Sequence, residues 1–111
     1  MTDATPVSNW FVRGRARGTP RMRLICFPSA GAGASVFGRW AEHLPPDVDL
    51  WTLQLPGREA RRNEALLSDI HDIADRLAPL VEPLLDVPFA FFGHSMGALI
   101  AYELTRRLAT R

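Results

Sequence analysis

The apolar run Phe89–Phe92 (FAFF) is cut short by Gly93-His94-Ser95-Met96-Gly97, and helix-forming residues follow from about Met96 to Leu108. This junction constrains the fold more than any other feature of the chain. A G-x-S-x-G segment between strand and helix is a sharp turn that holds its serine in a strained backbone conformation. Its glycines stand where side chains would collide with neighbouring backbone. Ser95 Oγ then projects from the C-terminal edge of a sheet, at the positive end of the following helix. Gly93, His94 and Gly97 make up the rest of the elbow. An ordinary tight strand-to-helix turn is the competing, purely structural reading.

The rest of the chain repeats the same alternation. Arg21–Phe27 (RMRLICF) ends in four apolar residues and stops at Pro28, as a buried strand does. A turn-rich loop, Pro28–Gly33, follows. The spacing of Val36, Phe37, Trp40, Ala41 and Leu44 predicts a helix over Ser35–Leu44, ended by Pro45-Pro46. Leu50–Leu55 reads as a second strand, stopped by Pro56-Gly57. Ser68 or Asp69 can cap a long amphipathic helix carrying Ile70, Ile73, Leu77 and Leu84. Pro79 and Pro83 fall inside that pattern, and each costs about 3 kcal/mol in a helix interior. A kink or an early end is therefore expected near residues 78–84. Ala98–Tyr102 is apolar on most sides, so the start of the last helix is expected to be deeply buried.

Strand and helix alternate three times, the pattern of right-handed βαβ crossovers. The fold class is α/β: a parallel sheet with flanking helices. Residues 1–20 are expected as a lead-in, a solvated connector anchored by Trp10 and Phe11, and residues 21–111 as the folded body. Arg13, Arg15 and Arg17 give that lead-in a basic character, with a binding arm as the alternative reading.

Composition narrows the function classes. Hydrophobic residues at 47% and charged residues at 23% are the balance of a globular protein, not a disordered one. A net charge of +1 gives no global electrostatic case for nucleic acid or anionic lipid as partner. No apolar run approaches the roughly 20 residues of a membrane helix, and Met1–Trp10 lacks a signal-peptide core. All thirteen basic residues are arginine, so neither a P-loop lysine nor Schiff-base chemistry is available. One cysteine, Cys26, excludes an internal disulfide and a multi-cysteine zinc site. A cytoplasmic location is expected. Cys26 as a nucleophile is disfavoured by its place in an apolar strand, which raises a thiol's pKa and hides it.

A nucleophilic serine needs two backbone N–H groups aimed at the developing oxyanion. One belongs to the residue after the serine, Met96, and the other to the loop after an earlier strand. Pro28-Ser29-Ala30-Gly31-Ala32-Gly33 is such a loop, with Ala30 as the expected donor and Gly31 as its neighbouring alternative. A dinucleotide-binding G-x-G-x-x-G would need glycine at position 36, where Val36 stands.

Three ordered motifs then carry a resemblance. Cys26-Phe27-Pro28-Ser29-Ala30-Gly31 with Phe37 and Trp40, Leu55-Pro56-Gly57-Arg58-Glu59, and Phe92-Gly93-His94-Ser95-Met96-Gly97-Ala98 resemble the type II thioesterases. These stand-alone α/β-hydrolase enzymes accompany bacterial polyketide synthases and non-ribosomal peptide synthetases in antibiotic biosynthesis. The resemblance runs from Trp10 onward. It implies hydrolysis of acyl thioesters from the phosphopantetheine arm of acyl or peptidyl carrier protein domains. The acyl group would pass through an ester on Ser95, with Met96 and Ala30 as oxyanion donors. It implies no cofactor or metal of the enzyme's own, the substrate being carried by the partner protein. Arg58 and Glu59 are read as a structural ion pair, with substrate contact as the alternative.

The triad order in such hydrolases is serine, then acid, then histidine. After Ser95 the sequence offers one acid, Glu103, and no histidine. Glu103 is more than two helical turns from the nucleophile, and His43, His71 and His94 are expected in solvated or capping roles. The chain therefore resembles the N-terminal half of the domain, truncated after the nucleophile helix. Alone it is expected to be inactive, and to self-associate or be partly molten through unpaired sheet edges. An acyl-CoA or oxygen-ester hydrolase with the same elbow, and a non-catalytic remnant that binds carrier domains, are the alternatives.

Overall fold

The computed structural model describes residues 9–14 and 18–110. Arg15 and Arg17 of the expected basic arm lie outside the described residues. Four strands, β1 (Phe11–Arg13), β2 (Met22–Phe27), β3 (Val48–Leu53) and β4 (Phe89–Gly93), form one sheet in the order β1-β3-β2-β4. The last three are parallel, with Leu24 opposite Leu50 on one side and Ala90 on the other. β1 runs antiparallel to β3, pairing Phe11 with Leu53 and Arg13 with Trp51.

The expected all-parallel sheet is thus mixed, and part of the expected lead-in is a strand. Phe11 is 1% exposed, and Trp10 packs on the same core. β1 pairs along the outer side of β3, which the sequence reading left as an unpaired edge.

Alternation along β2 sends side chains to two faces. Ile25 and Phe27 join a core with Ile73, Leu77, Ile100 and Leu104, supplied by helices α1 (Ile70–Val81) and α2 (Met96–Ala109). Leu24 and Cys26 face the other way, toward Phe37, Leu50 and Trp40. On this second face the expected Ser35–Leu44 helix is instead two short 3-10 turns, Ala34–Phe37 and Trp40–His43. Gly38 lies between them and donates its N–H back to Ser35. Aromatic contacts hold the pair down, with ring centroids of Phe37 and Trp40 4.7 Å apart edge-on and of Trp40 and Phe92 5.0 Å apart at a tilt.

Asp69 caps α1, its carboxylate accepting from His71 N–H at 2.9 Å. Pro79 is accommodated within the final turn, and after Val81 the chain tightens into a 3-10 turn, Glu82–Leu85, with Pro83 in its first turn. The expected early end is present: Pro83 has no N–H to continue α1, whereas early in the following turn that N–H would be unpaired anyway.

The N-terminal end of the parallel strands is pinned by a buried carboxylate. Asp49, whose side chain is 3% exposed, accepts from Arg13 Nε at 3.0 Å, Arg23 Nε at 2.9 Å and Trp51 Nε1 at 2.9 Å. Burial pushes its pKa up, but the hydrogen bonds from Arg13, Trp51 and Arg23 bring it below the ordinary aspartate value. Arg23 also reaches Asp86 and the carbonyl of Leu84, tying β2 to the turn that precedes β4.

Candidate active site

β2 and β4 are neighbours in register, with Phe27 opposite Gly93, so the loops that leave their C-terminal ends emerge side by side. The first residue of the β4 loop is fastened directly to β2, His94 N–H donating to Phe27 C=O at 3.0 Å. The next residue, Ser95, has φ 58° and ψ −119°. That lies outside the regions open to residues with a Cβ, and such conformations cost about 1–3 kcal/mol. Gly97 N–H to His94 C=O at 3.0 Å and Ala98 N–H to Ser95 C=O at 2.9 Å close the turn into α2.

Both flanking glycines are required by close approach. A Cβ on Gly93 would stand 2.5 Å from Ala98 Cα, and one on Gly97 would stand 1.8 Å from the Phe27 carbonyl oxygen. α2 therefore begins pressed against the end of β2. Ser95 is exposed at its head. Met96 is the first residue of α2, where an N–H has no acceptor within the helix and sits at the positive end of the helix dipole.

The β2 loop folds back at once. Ala32 N–H donates to Ser29 C=O at 3.1 Å, and Gly31 has φ +83°. A type II turn needs positive φ at that position. Ala30 and Gly31 are the two central residues of the turn, and both are exposed. The elbow and the small-residue loop are thus joined through Phe27 at the C-terminal edge of the sheet.

The Leu55–Glu59 motif does something that sequence reasoning missed. Glu59 does not pair with Arg58, whose Nη1 lies 3.5 Å from the Gly57 carbonyl oxygen. Instead the chain turns at Gly57 (φ +87°), and Glu59 itself adopts φ +41°. Its carboxylate reaches back to the β2 loop, accepting from Ser35 N–H at 3.2 Å, from the Ser35 hydroxyl, and from Gln54 Nε2 at 3.4 Å. The Ser35 hydroxyl is the largest influence holding the Glu59 carboxyl below the ordinary glutamate range. Gln54, 4% exposed, in turn accepts from Ala34 N–H at 2.8 Å. The only signal in the sequence was a carboxylate two residues after a glycine turn, which does not say where it points.

Arg61 completes this corner. It donates to Glu64 through Nε at 2.9 Å and Nη2 at 2.7 Å, and to Gln54 C=O at 3.0 Å, while its guanidinium lies 4.6 Å from the Trp10 ring centroid.

Glu103 bonds Arg106 and Arg107 and lies 3.6 Å from His71 Nδ1. Eight residues along a helix is about 12 Å, so this histidine–glutamate pair is remote from Ser95. His43 and His94 are exposed. Cys26 is fully buried, and desolvation pushes its thiol up to about 12, so it stays protonated at neutral pH. The start of α2 departs from expectation. Leu99 is 56% and Tyr102 60% exposed, because the helix turns Gly97, Ile100, Ala101 and Leu104 inward and these two outward. Among the described residues no group of three or more histidine, cysteine or acidic side chains is arranged to hold a metal ion. None of their helices is long and apolar enough to cross a membrane.

Against known families, residues 22–111 match the thioesterase domain. The chain belongs to the thioesterase family. Its relatives include the gramicidin S biosynthesis protein GrsT of Aneurinibacillus migulanus, 43% identical over 108 residues, which are 97% of this chain and 42% of GrsT. The thioesterase PikA5 of Streptomyces venezuelae is 39% identical over 92% of this chain and 37% of its own length. Among solved structures, the type II thioesterase BorB from the borrelidin biosynthetic cluster superimposes with a TM-score of 0.87. It is 40% identical over 96% of this chain and 43% of BorB. The chain thus spans about two-fifths of the length of these thioesterases. What it shares with them is the α/β-hydrolase fold.

Proposed function

We propose that the thioesterase to which this chain contributes hydrolyses acyl thioesters carried on the phosphopantetheine arm of acyl or peptidyl carrier domains, in a bacterial cytoplasm. Ser95 is its nucleophile. The observation that carries this reading is the Ser95 backbone, held at φ 58° and ψ −119° between β4 and α2. A strained serine exposed at a helix N-terminus has a chemical use and no packing use.

In the proposed reaction Ser95 Oγ attacks the thioester carbonyl carbon and gives up its proton to a general base. Negative charge gathers on the carbonyl oxygen, where the N–H groups of Met96 and Ala30 receive it. One such donor is worth about 2.7–4 kcal/mol of barrier. The C–S bond then breaks, the pantetheine sulfur leaves as a thiol, and the acyl group remains as an ester on Ser95. Water, deprotonated by the same base, attacks that ester and frees the carboxylic acid and Ser95. The sequence needs water and no redox partner, so no cofactor is assigned. The base histidine and its orienting acid are assigned to residues outside the 111, since Glu103 lies about 12 Å along α2 from Ser95 and His71 sits beside Glu103.

The test is hydrolysis of acyl-carrier protein against acyl-CoA by the protein as its host produces it. Carrier-bound substrate is expected to be preferred. Ser95→Ala is expected to abolish turnover and fluorophosphonate labelling together. Equal rates on acyl-CoA would reassign the substrate, and unchanged turnover in Ser95→Ala would refute the mechanism.

A further inference from the structure

The corner built by Gln54, Glu59 and Ser35 has no part in the chemistry above, yet it holds the far end of the loop that carries Ala30. That loop is fixed at its start, where Phe27 belongs to β2 and its carbonyl receives His94 N–H at 3.0 Å. Between Pro28 and Gly33 only small residues occur, and none of their side chains fills the core. A loop of that kind holds its shape only if both ends are anchored. The second anchor is the pair of amide bonds that follow it: Ala34 N–H to Gln54 Oε1 at 2.8 Å and Ser35 N–H to Glu59 Oε1 at 3.2 Å. The Ser35 hydroxyl adds a bond to Glu59 Oε2.

Glu59 accepts an unfavourable backbone to do this, at φ +41°, and packs against a residue that leaves it no slack. A Cβ on Gly33 would stand 2.3 Å from Glu59 Cδ. Charge matters as well as shape, since an ionised carboxylate is the stronger acceptor for an N–H and an O–H together.

We infer that Glu59 is a positioning residue: through Ser35 and Gln54 it clamps the loop after β2, setting the Ala30 N–H against the oxyanion that forms at Ser95. This rests on the hydrolase reading of Ser95. A misplacement near 1 Å in such a donor costs about 100-fold in rate, whereas binding of the acyl chain does not depend on it. The clamp is thereby expected to act on kcat and to leave KM alone.

The experiment compares wild type with Glu59→Ala, Glu59→Gln and Ser35→Ala in the protein as its host produces it, on an acyl thioester. Rates are normalised to the fraction that a fluorophosphonate labels at saturation. Amide hydrogen exchange is followed over residues 28–36. Glu59→Ala is expected to lower kcat about 10–100-fold, with KM within about threefold and faster exchange at Ala34 and Ser35. Glutamine keeps the shape and one acceptor but not the charge, so Glu59→Gln is expected to recover part of the rate. Ser35→Ala removes one bond and is expected to fall between, so it decides the matter even where Glu59→Ala does not fold. Wild-type kcat in Ser35→Ala, or a loss confined to KM in either variant, would overturn the assignment. Turnover that Ser95→Ala leaves intact would instead remove the hydrolase reading, and the positioning role with it.

Discussion

The contact between Gly97 and β2 sets a limit on how the elbow can be changed, and Gly97→Ala measures it. A methyl group there would lie 1.8 Å from the Phe27 carbonyl oxygen, 2.5 Å from its carbon and 2.6 Å from the Pro28 oxygen. All three atoms are backbone, so no side chain can swing away. Restoring an ordinary contact of 3.4 Å requires α2 and the end of β2 to part by about 1.6 Å. Overpacking of this kind costs about 1–3 kcal/mol of stability. The same displacement carries the Met96 N–H with the helix start, and loss of one oxyanion donor lowers kcat about 10²–10³-fold. The expected result is a modest fall in the urea midpoint with a large fall in kcat. Gly18→Ala is the control. Gly18 has φ +60° with nothing within 4 Å of its Cβ position, so alanine there costs about 1–2 kcal/mol through the backbone alone. Its kcat is expected to stay at wild type. Gly97→Ala turning over within threefold of wild type would refute the claim that this contact positions the helix start.

Two further outcomes follow from strain and from buried charge. Ser95→Gly is expected to raise stability by about 1 kcal/mol, because the released strain of about 1–3 kcal/mol exceeds the added chain entropy, while labelling is lost; an unchanged or lower urea midpoint would contradict the strain. Asp49 has its folded pKa depressed, so its contribution is fully present above the unfolded value of about 3.9 and is lost as pH falls through the lower folded value. Asp49→Asn is expected to cost about 3 kcal/mol near pH 7, with the gap to wild type closing toward pH 2. Urea midpoints across that range check it, and a gap independent of pH would exclude the ion cluster as its source.

What the sequence made legible is the local part of the design. β2, β4, α2 and the elbow follow from apolar runs, prolines and glycines that act on their immediate neighbours. β1 escaped because three residues are too few to show a period, and its place depends on Leu53 some forty residues later. The turns at Ala34–His43 escaped because an i, i+3, i+4 pattern does not separate an α-helix from two 3-10 turns broken at Gly38. The Glu59 clamp spans 24 residues to Ser35, and the Asp49 cluster 36 to Arg13. Polar contacts at that range leave no periodic trace. The outward face of α2 was misjudged for the converse reason: Leu99 and Tyr102 look like core by composition, and only packing shows which side of a helix is covered.

Asp49, Arg13, Arg23 and Asp86 gather where the parallel strands begin, whereas Ser95, Ala30 and Glu59 gather where they end. The two groups are separated by the length of the strands. The loops at the serine's end of the sheet can therefore change while the ionic knot keeps the register of the strands. Drift at the knot, by contrast, would shift every loop at once. Variation of those loops therefore has two sets of positions to hold fixed, the knot at 13, 23 and 49 and the clamp at 35, 54 and 59.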